Sequence, residues 1–249
     1  MIVGVLLAAG ASTRMGSPKA LARSRGQSFL VRGVRALWST CDVVVVVLGE
    51  QGDRVQRETS EEFSSLVERG LLAPDLSGSP GKRSGELEVR FVPNPRWKDG
   101  MYSSARAGLA SALKAKPKGV MLLPVDHPEI ADGTVQSLGA MLLEALGSFG
   151  GKASAKFAYA VVPRHRGRRG HPVAISSALA AEIVRDKAAV HLSDAIRGHA
   201  RLVGYLDVAD AGVLVNHNTP KGRAAKPAPA IRKRTTKQAA PKRKVAKKK

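Results

Sequence analysis

Apolar positions along this chain follow two patterns that take turns. Residues 2–8 form a short unbroken apolar run, and Asp42 is followed by five valines and a leucine. Runs of that length and composition read as strands buried on both faces of a parallel sheet. Between them Phe29, Leu30, Val34 and Leu37 recur at helical spacing, which predicts a helix over 28–38. The alternation continues down the chain. A polar stretch at 50–72 is helical in part. A strand follows at 87–92, with Leu87, Val89 and Phe91 on one side. Then come a helix at 103–114, a strand at 119–124, a helix at 130–146 and strands at 157–162 and 173–176. Short helices near 178–185 and 192–198 lead to a last strand at 202–208 that closes the sheet. Strands alternating with helices predict an α/β fold, a mostly parallel Rossmann-like sheet with helices on both faces. Ligands of such sheets sit beyond the carboxyl ends of the strands. The segments after residues 2–8 and 119–124, with residues 100–104, are therefore expected to converge on one face.

Composition narrows this picture. The 249 residues are 43% hydrophobic, enough to bury a sizeable core. The single cysteine, Cys41, excludes an internal disulfide and a cysteine-based zinc site. Beside an apolar strand it reads as a small buried hydrophobe, and cysteine usage this sparse fits a reducing cytoplasm. Residues 1–11 lack the basic start of a signal peptide and read as the first strand. No stretch approaches the ~18–20 apolar residues that span a bilayer. The net charge of +21 is unevenly placed: residues 221–249 hold thirteen Lys or Arg and no acid, which leaves 28 basic against 20 acidic residues in 1–220. Two parts are expected, a folded domain at 1–220 and a disordered Lys/Arg/Pro/Ala-rich tail at 221–249. The tail either contacts polyanions such as nucleic acid through counterion release, without sequence preference, or is a solubilising extension. Residues 73–86, rich in Gly, Ser and Pro, read as a flexible loop, and their Gly/Lys spacing is not that of a Walker phosphate loop.

The candidate chemistry begins where the first strand ends. Leu6-Leu7-Ala8-Ala9-Gly10-Ala11-Ser12-Thr13-Arg14-Met15-Gly16-Ser17-Pro18-Lys19 is a small-residue loop carrying two cations. Small residues let backbone N–H groups approach phosphate oxygens, and Arg14 and Lys19 offset their charge. Asp126, after Leu122-Leu123-Pro124-Val125, sits at a strand end. It either holds Mg²⁺, which prefers oxygen ligands and takes one or two carboxylates plus substrate phosphates, or caps a helix that starts near Glu129 or Ala131. Ser103 and Ser104 either cap the following helix or touch the nucleotide. Asn216 and Asn218 either serve as neutral amide ligands or make Asx turns into Pro220. The run from Arg164 to Arg169 is either a phosphate-binding stretch or a solvated hairpin tip.

Five stretches in order resemble the signature of the MobA-like nucleotidyltransferases: Leu6–Lys19, Gly100-Met101-Tyr102-Ser103-Ser104, Leu122–Pro128, Gly170-His171-Pro172-Val173 and Val215–Pro220. Their pattern is similar to that of the molybdenum cofactor cytidylyl- and guanylyltransferases, and the resemblance spans residues 1–220. It implies a fold of the nucleotide-diphospho-sugar transferase type. The implied reaction is Mg²⁺-dependent nucleotidyl transfer to a phosphorylated small molecule such as molybdopterin, with pyrophosphate leaving. It also implies that Leu7, Ala8, Ala9, Gly10, Ser12, Arg14, Lys19, Ser103 and Ser104 bind the nucleotide. Arg14 falls on the leaving β- and γ-phosphates, Lys19 on the α-phosphate or acceptor phosphate, and Asp126 and Asn218 on the metal. His127, Gly170, His171 and Pro172 fall on the acceptor side, where His127 is as much a structural as a contact residue. Relatives with an Ala-Ala-Gly loop use CTP and those with a Gly pair use GTP, so Ala8-Ala9 leans toward CTP. The same chemistry on a sugar phosphate, or an inactive domain that binds nucleic acid through the tail, are the competing readings. The chain departs from the family after Pro220, where Lys221-Gly222 stand in place of an acidic helix start. Deletion of residues 222–249 is expected to leave nucleotidyl transfer intact, and loss of pyrophosphate release in a folded truncation would refute this.

Overall fold

A computed structural model of the chain describes residues 1–10, 17–71, 88–148 and 157–217, all within one unit, Met1–Asn218. Ser12, Arg14, Asn218, residues 73–86 and the tail lie outside the described residues.

The unbroken apolar runs form the centre of the sheet. β1 (Ile2–Leu7) lies between β4 (Val43–Leu48) and β6 (Gly119–Pro124), parallel to both. β5 (Glu88–Pro93) adds to β4 as an edge strand. On the other side β9 (Val173–Ser176) runs antiparallel between β6 and β7 (Tyr159–His165), and β10 (Leu202–Asp207) closes that edge parallel to β7. The strand order is β10-β7-β9-β6-β1-β4-β5, with the short β8 (Arg168–Arg169) hairpinned onto β7. Because only β9 and β8 are reversed, the carboxyl ends of the six parallel strands share one edge. Residues 170–172, which enter β9, lie at that same edge.

Alternate side chains feed two separate cores, as the period of 2 demands. Val3, Val5, Val43, Val45, Val47, Val120 and Leu122 face α3 (Met101–Leu113), α5 (Ser177–Arg185) and α6 (Leu192–His199). Leu6, Val44, Val46, Met121 and Leu123 face α1 (Phe29–Trp38) and α4 (Asp132–Ser148). α2 (Gly52–Glu68) contributes Val55 to this second layer. Each fully buried Leu or Val adds about 1.5–3 kcal/mol relative to exposure. Cys41 is completely buried in the same core.

Three boundaries differ from the sequence expectation, and each for a local reason. α3 begins at Met101, with Gly100 as its N-cap at φ +93°, so Ser103 and Ser104 lie inside the helix and neither caps it. α4 starts at Asp132 and is capped from a distance: the Asp210 carboxylate accepts from Ala131 N (3.0 Å) and Thr134 Oγ1 (2.9 Å). Asp126 is therefore not a helix cap. Finally, a small hairpin of β2 (Arg23–Ser24) and β3 (Gln27–Ser28) precedes α1, turning at Arg25 and Gly26, both of positive φ. Ser28 then caps α1, its side chain accepting from Val31 N.

Candidate nucleotide and metal site

The carboxyl edge of the sheet opens into a cleft of about 400 Å³. Leu7, Ala8, Ala9 and Gly10 line one wall as the chain leaves β1, and Pro124, Val125 and Asp126 extend from the end of β6. Lys19 enters from the 3-10 turn Lys19–Leu21. The opposite wall is Trp97 and Lys98, in the 3-10 turn Trp97–Asp99, with Gly100, Met101 and Ser104 at the start of α3. The three segments expected to converge do so.

The two sides are held by backbone ties. Ala8 N donates to Val47 O (3.0 Å) and Val125 N to Leu7 O (3.0 Å), which fixes the start of the first loop against both neighbouring strands. On the far wall Asn94, 5% exposed, donates from Nδ2 to both Ser103 Oγ and Ser104 Oγ (3.0 Å each) and accepts from Arg96 N (3.0 Å). Ser103 Oγ in turn donates to Arg96 O (2.7 Å). Ser103 is thus committed to the loop that carries Trp97, while Ser104 lines the cleft.

Asp126 and Lys19 form the charged centre. Lys19 Nζ stands 3.8 Å from Asp126 Oδ2, with side chains 19% and 14% exposed. Asp126 O accepts from His217 N (2.9 Å), which ties the segment bearing Asn216 to the Asp126 backbone. Among the described residues no group of three or more His, Cys, Asp or Glu is arranged to hold a metal. A single carboxylate suits a cation that keeps waters and takes phosphate oxygens, as Mg²⁺ or Mn²⁺ does. It does not suit a metal that requires an all-protein cage.

Beyond Asp126 lies a pair of histidines. The His127 and His171 rings meet edge to face with centroids 4.9 Å apart. Burial pushes the His127 pKa down, against the pull of Asp126, and burial with the neighbouring His127 pushes His171 down to about 4. Both rings are neutral at neutral pH, and their buried Nδ1 atoms have no hydrogen-bond partner. Gly170 and His171 are fixed by Gly170 N to Pro163 O (2.9 Å) and His171 N to Val213 O (3.0 Å), and Pro172 is buried behind them. The Arg164–Arg169 run forms the β7–β8 hairpin, its tip at Arg166 and Gly167 exposed. Arg164 pairs with Asp207 (2.7 Å), and Arg164 and Arg169 both lie over the Tyr205 ring.

The His171 environment predicts a pH dependence of stability. The unfolded chain takes up a proton near pH 6.5, the folded one only near 4, so stability present above about 6.5 is lost as the pH falls through that window. The expected loss between pH 7 and 5 is about 2 kcal/mol in urea unfolding. His171→Asn should flatten the slope; an unchanged slope would mean that the ring is not desolvated.

The sequence motifs single out none of Trp97, Lys98 and Asn94, and they assign no role to Met101 and His217, which stand inside the Gly100–Ser104 and Val215–Pro220 stretches. Asn94-Pro95-Arg96-Trp97-Lys98 just ahead of Gly100 was the available signal for the first three. His217 stood between two asparagines already singled out.

A sheet of this topology with a cationic and carboxylate cleft at its carboxyl edge defines a nucleotide-handling α/β protein. The chain belongs to the MobA-like NTP transferase domain family, whose sequence profile matches residues 4–203. It is 32% identical over 180 residues to nicotine blue oxidoreductase from Paenarthrobacter nicotinovorans, covering 72% of each chain. Its fold is similar to that of molybdopterin-guanine dinucleotide biosynthesis protein A from Archaeoglobus fulgidus (TM-score 0.53, 17% identity, 88% of this chain and 93% of that one). It is also similar to Rv0371c from Mycobacterium tuberculosis in a manganese complex (TM-score 0.51, 20% identity, 83% and 88% covered). Among the described residues no helix is long and apolar enough to cross a membrane.

Proposed function

We propose that the protein transfers a nucleotidyl group from CTP, in preference to other NTPs, to a phosphorylated small molecule and releases pyrophosphate. The observation that carries this reading is the Lys19–Asp126 centre at the mouth of the β1 loop, on the strand-end face where nucleotides bind in such sheets. An oxygen of the acceptor phosphate attacks the α-phosphorus, the bond from that phosphorus to the bridging oxygen breaks, and the electron pair leaves with pyrophosphate. No covalent enzyme intermediate is needed, so the work is alignment and charge compensation. Lys19 offsets charge on the α-phosphate or the acceptor phosphate, and Arg14 on the β- and γ-phosphates. Backbone N–H groups around Ala9 and Gly10 contact phosphate oxygens, with Ser12 in the same loop. Ser104 contributes on the nucleotide side. Asp126 would hold a divalent cation, Mg²⁺ in the cell, with an amide from Asn216 or Asn218; that ion supplies charge neutralisation at the triphosphate. The mycobacterial protein of similar fold was solved in complex with manganese, which is in keeping with a divalent ion.

Ala8 and Ala9 line the cleft where a glycine pair would leave more room, which favours the smaller pyrimidine. His127, Gly170, His171 and Pro172 form the acceptor side. Two neutral imidazoles there can hydrogen-bond an acceptor without adding charge, while the exposed arginines of the β7–β8 hairpin suit its phosphate. Molybdopterin is the acceptor we favour, on the motif pattern shared with the molybdenum cofactor transferases.

One observation favours a second reading, a redox enzyme built on the same fold: the relative matched over 72% of its length is named an oxidoreductase. The two separate in one panel, with purified protein, Mg²⁺, each NTP and phosphorylated acceptors including molybdopterin. Pyrophosphate release, greatest with CTP, is expected. Redox turnover of nicotine blue, with no pyrophosphate from any NTP, would transfer the assignment to the second reading.

A further inference from the structure

Glu129 stands one turn of chain beyond Asp126 and outside the cleft lining, yet three segments meet on it. Its carboxylate accepts from Ser24 Oγ (2.5 Å) and lies 3.1 Å from Arg25 Nη2 and 3.4 Å from Arg32 Nη2. Arg32 also donates from Nε to Pro128 O (2.8 Å), so α1 clamps the 128–129 backbone as well as the side chain. His217 Nε2 stands 4.0 Å from Glu129 Oε1, the oxygen that Ser24 binds, beyond hydrogen-bond range, with the imidazole packed against Phe29 at 5.1 Å. The backbone joins in: a Cβ on Gly212 would stand 2.3 Å from Glu129 O, so the chain leading to His217 rests directly on this residue. The Ser24 hydrogen bond, followed by Arg32 and Arg25, holds the Glu129 carboxyl below the usual range, so it is ionised throughout the neutral region.

The segments that meet here are those that carry the site. Ser24 and Arg25 belong to the hairpin directly after the Lys19 turn. Pro128 and Glu129 continue from Asp126. His217 adjoins Asn216 and donates its N–H to Asp126 O. We propose that Glu129 is a positioning residue that holds the Lys19, Asp126 and Asn216 segments in one arrangement and so sets the cation affinity of the cleft. The proposal rests on the divalent-metal reading given above. Glu129 does not touch the ion. It acts as groups behind metal ligands do, and replacing such groups weakens binding about 10–100-fold.

A control distinguishes this from mere support of the hairpin. Glu62 braces the same hairpin from α2, accepting from Ser28 N (3.0 Å) and lying 3.6 Å from Arg23, and among the described residues no hydrogen bond or ion pair links its side chain to residues 126–129 or 210–217. The test is Mn²⁺ binding followed by electron paramagnetic resonance of the free ion, with CTP present and no acceptor, in the full-length chain. Thermal unfolding is recorded for every variant. Glu129→Gln is expected to weaken Mn²⁺ about tenfold, and Arg25→Ala, which removes a side chain 76% exposed, to weaken it in the same direction. Glu62→Gln should bind as the wild type does. Wild-type affinity in Glu129→Gln, or an equal loss in Glu62→Gln, overturns the proposal. Absence of Mn²⁺ binding in the wild type overturns the metal reading itself, and the proposal with it.

Discussion

Asp126→Asn is expected to lower NTP-dependent pyrophosphate release by about 10³-fold while the protein stays folded. The substitution keeps the shape of the side chain and removes its charge. The carboxylate's ion pair is with Lys19 at 3.8 Å, and it sits at the rim of the core rather than in it. Loss of that pair changes stability by about 1 kcal/mol at most, a shift of a few degrees in thermal unfolding. The effect on turnover is far larger, because a divalent ion beside a triphosphate offsets charge in addition to what Lys19 and Arg14 offset. Lys19 is the nearest cation and cannot replace it. Activity within tenfold of the wild type would remove Asp126 from the metal site.

The second large effect is expected at Gly49, which is not in the cleft. Gly49 follows β4, and a Cβ there would stand 2.5 Å from Ala9 O and 3.0 Å from Ala9 C. Those atoms are backbone and cannot rotate away. The loop is also pinned by Ala8 N to Val47 O, so Gly49→Ala must push the Ala9–Gly10 wall bodily into or away from the nucleotide. A misplacement approaching 1 Å costs about 10²-fold in rate, and kcat/KM for CTP should fall by that order. Gly133→Ala in α4 is the matched control, since its added methyl meets nothing within 4 Å apart from its chain neighbours and the backbone of its own helix. It should leave turnover unchanged and stability equal or slightly raised, by at most about 1 kcal/mol. Equal kinetics for the two variants would show that the first loop is not held as described.

What was legible in the sequence follows from how local each signal is. β1, β4 and β6 are buried on both faces, and unbroken apolar runs say so without reference to the rest of the chain. Lys19 and Asp126 were legible because both follow strands, and strand ends define the ligand face. The start of α4 was not legible, because its cap is the carboxylate of Asp210, 79 residues downstream. Glu129 was invisible for the same reason: Ser24 lies 105 positions away, and nothing in the local pattern around Pro128 marks the meeting of hairpin and C-terminal segment. Ser103 illustrates the reverse error. Serines near a helix start suggest capping, but the positive φ of Gly100 lets the helix begin two residues earlier and turns Ser103 toward the Trp97 loop.

Calorimetric titration of the full-length protein with CTP, with Mg²⁺ and then with chelator, tests the central claim most directly. It requires no acceptor, so it does not depend on which phosphorylated molecule receives the nucleotide. Saturable CTP binding is expected that needs the divalent ion, is tighter than GTP binding and is lost in Asp126→Asn. Binding indifferent to both the ion and Asp126, or no binding of any NTP, would contradict it.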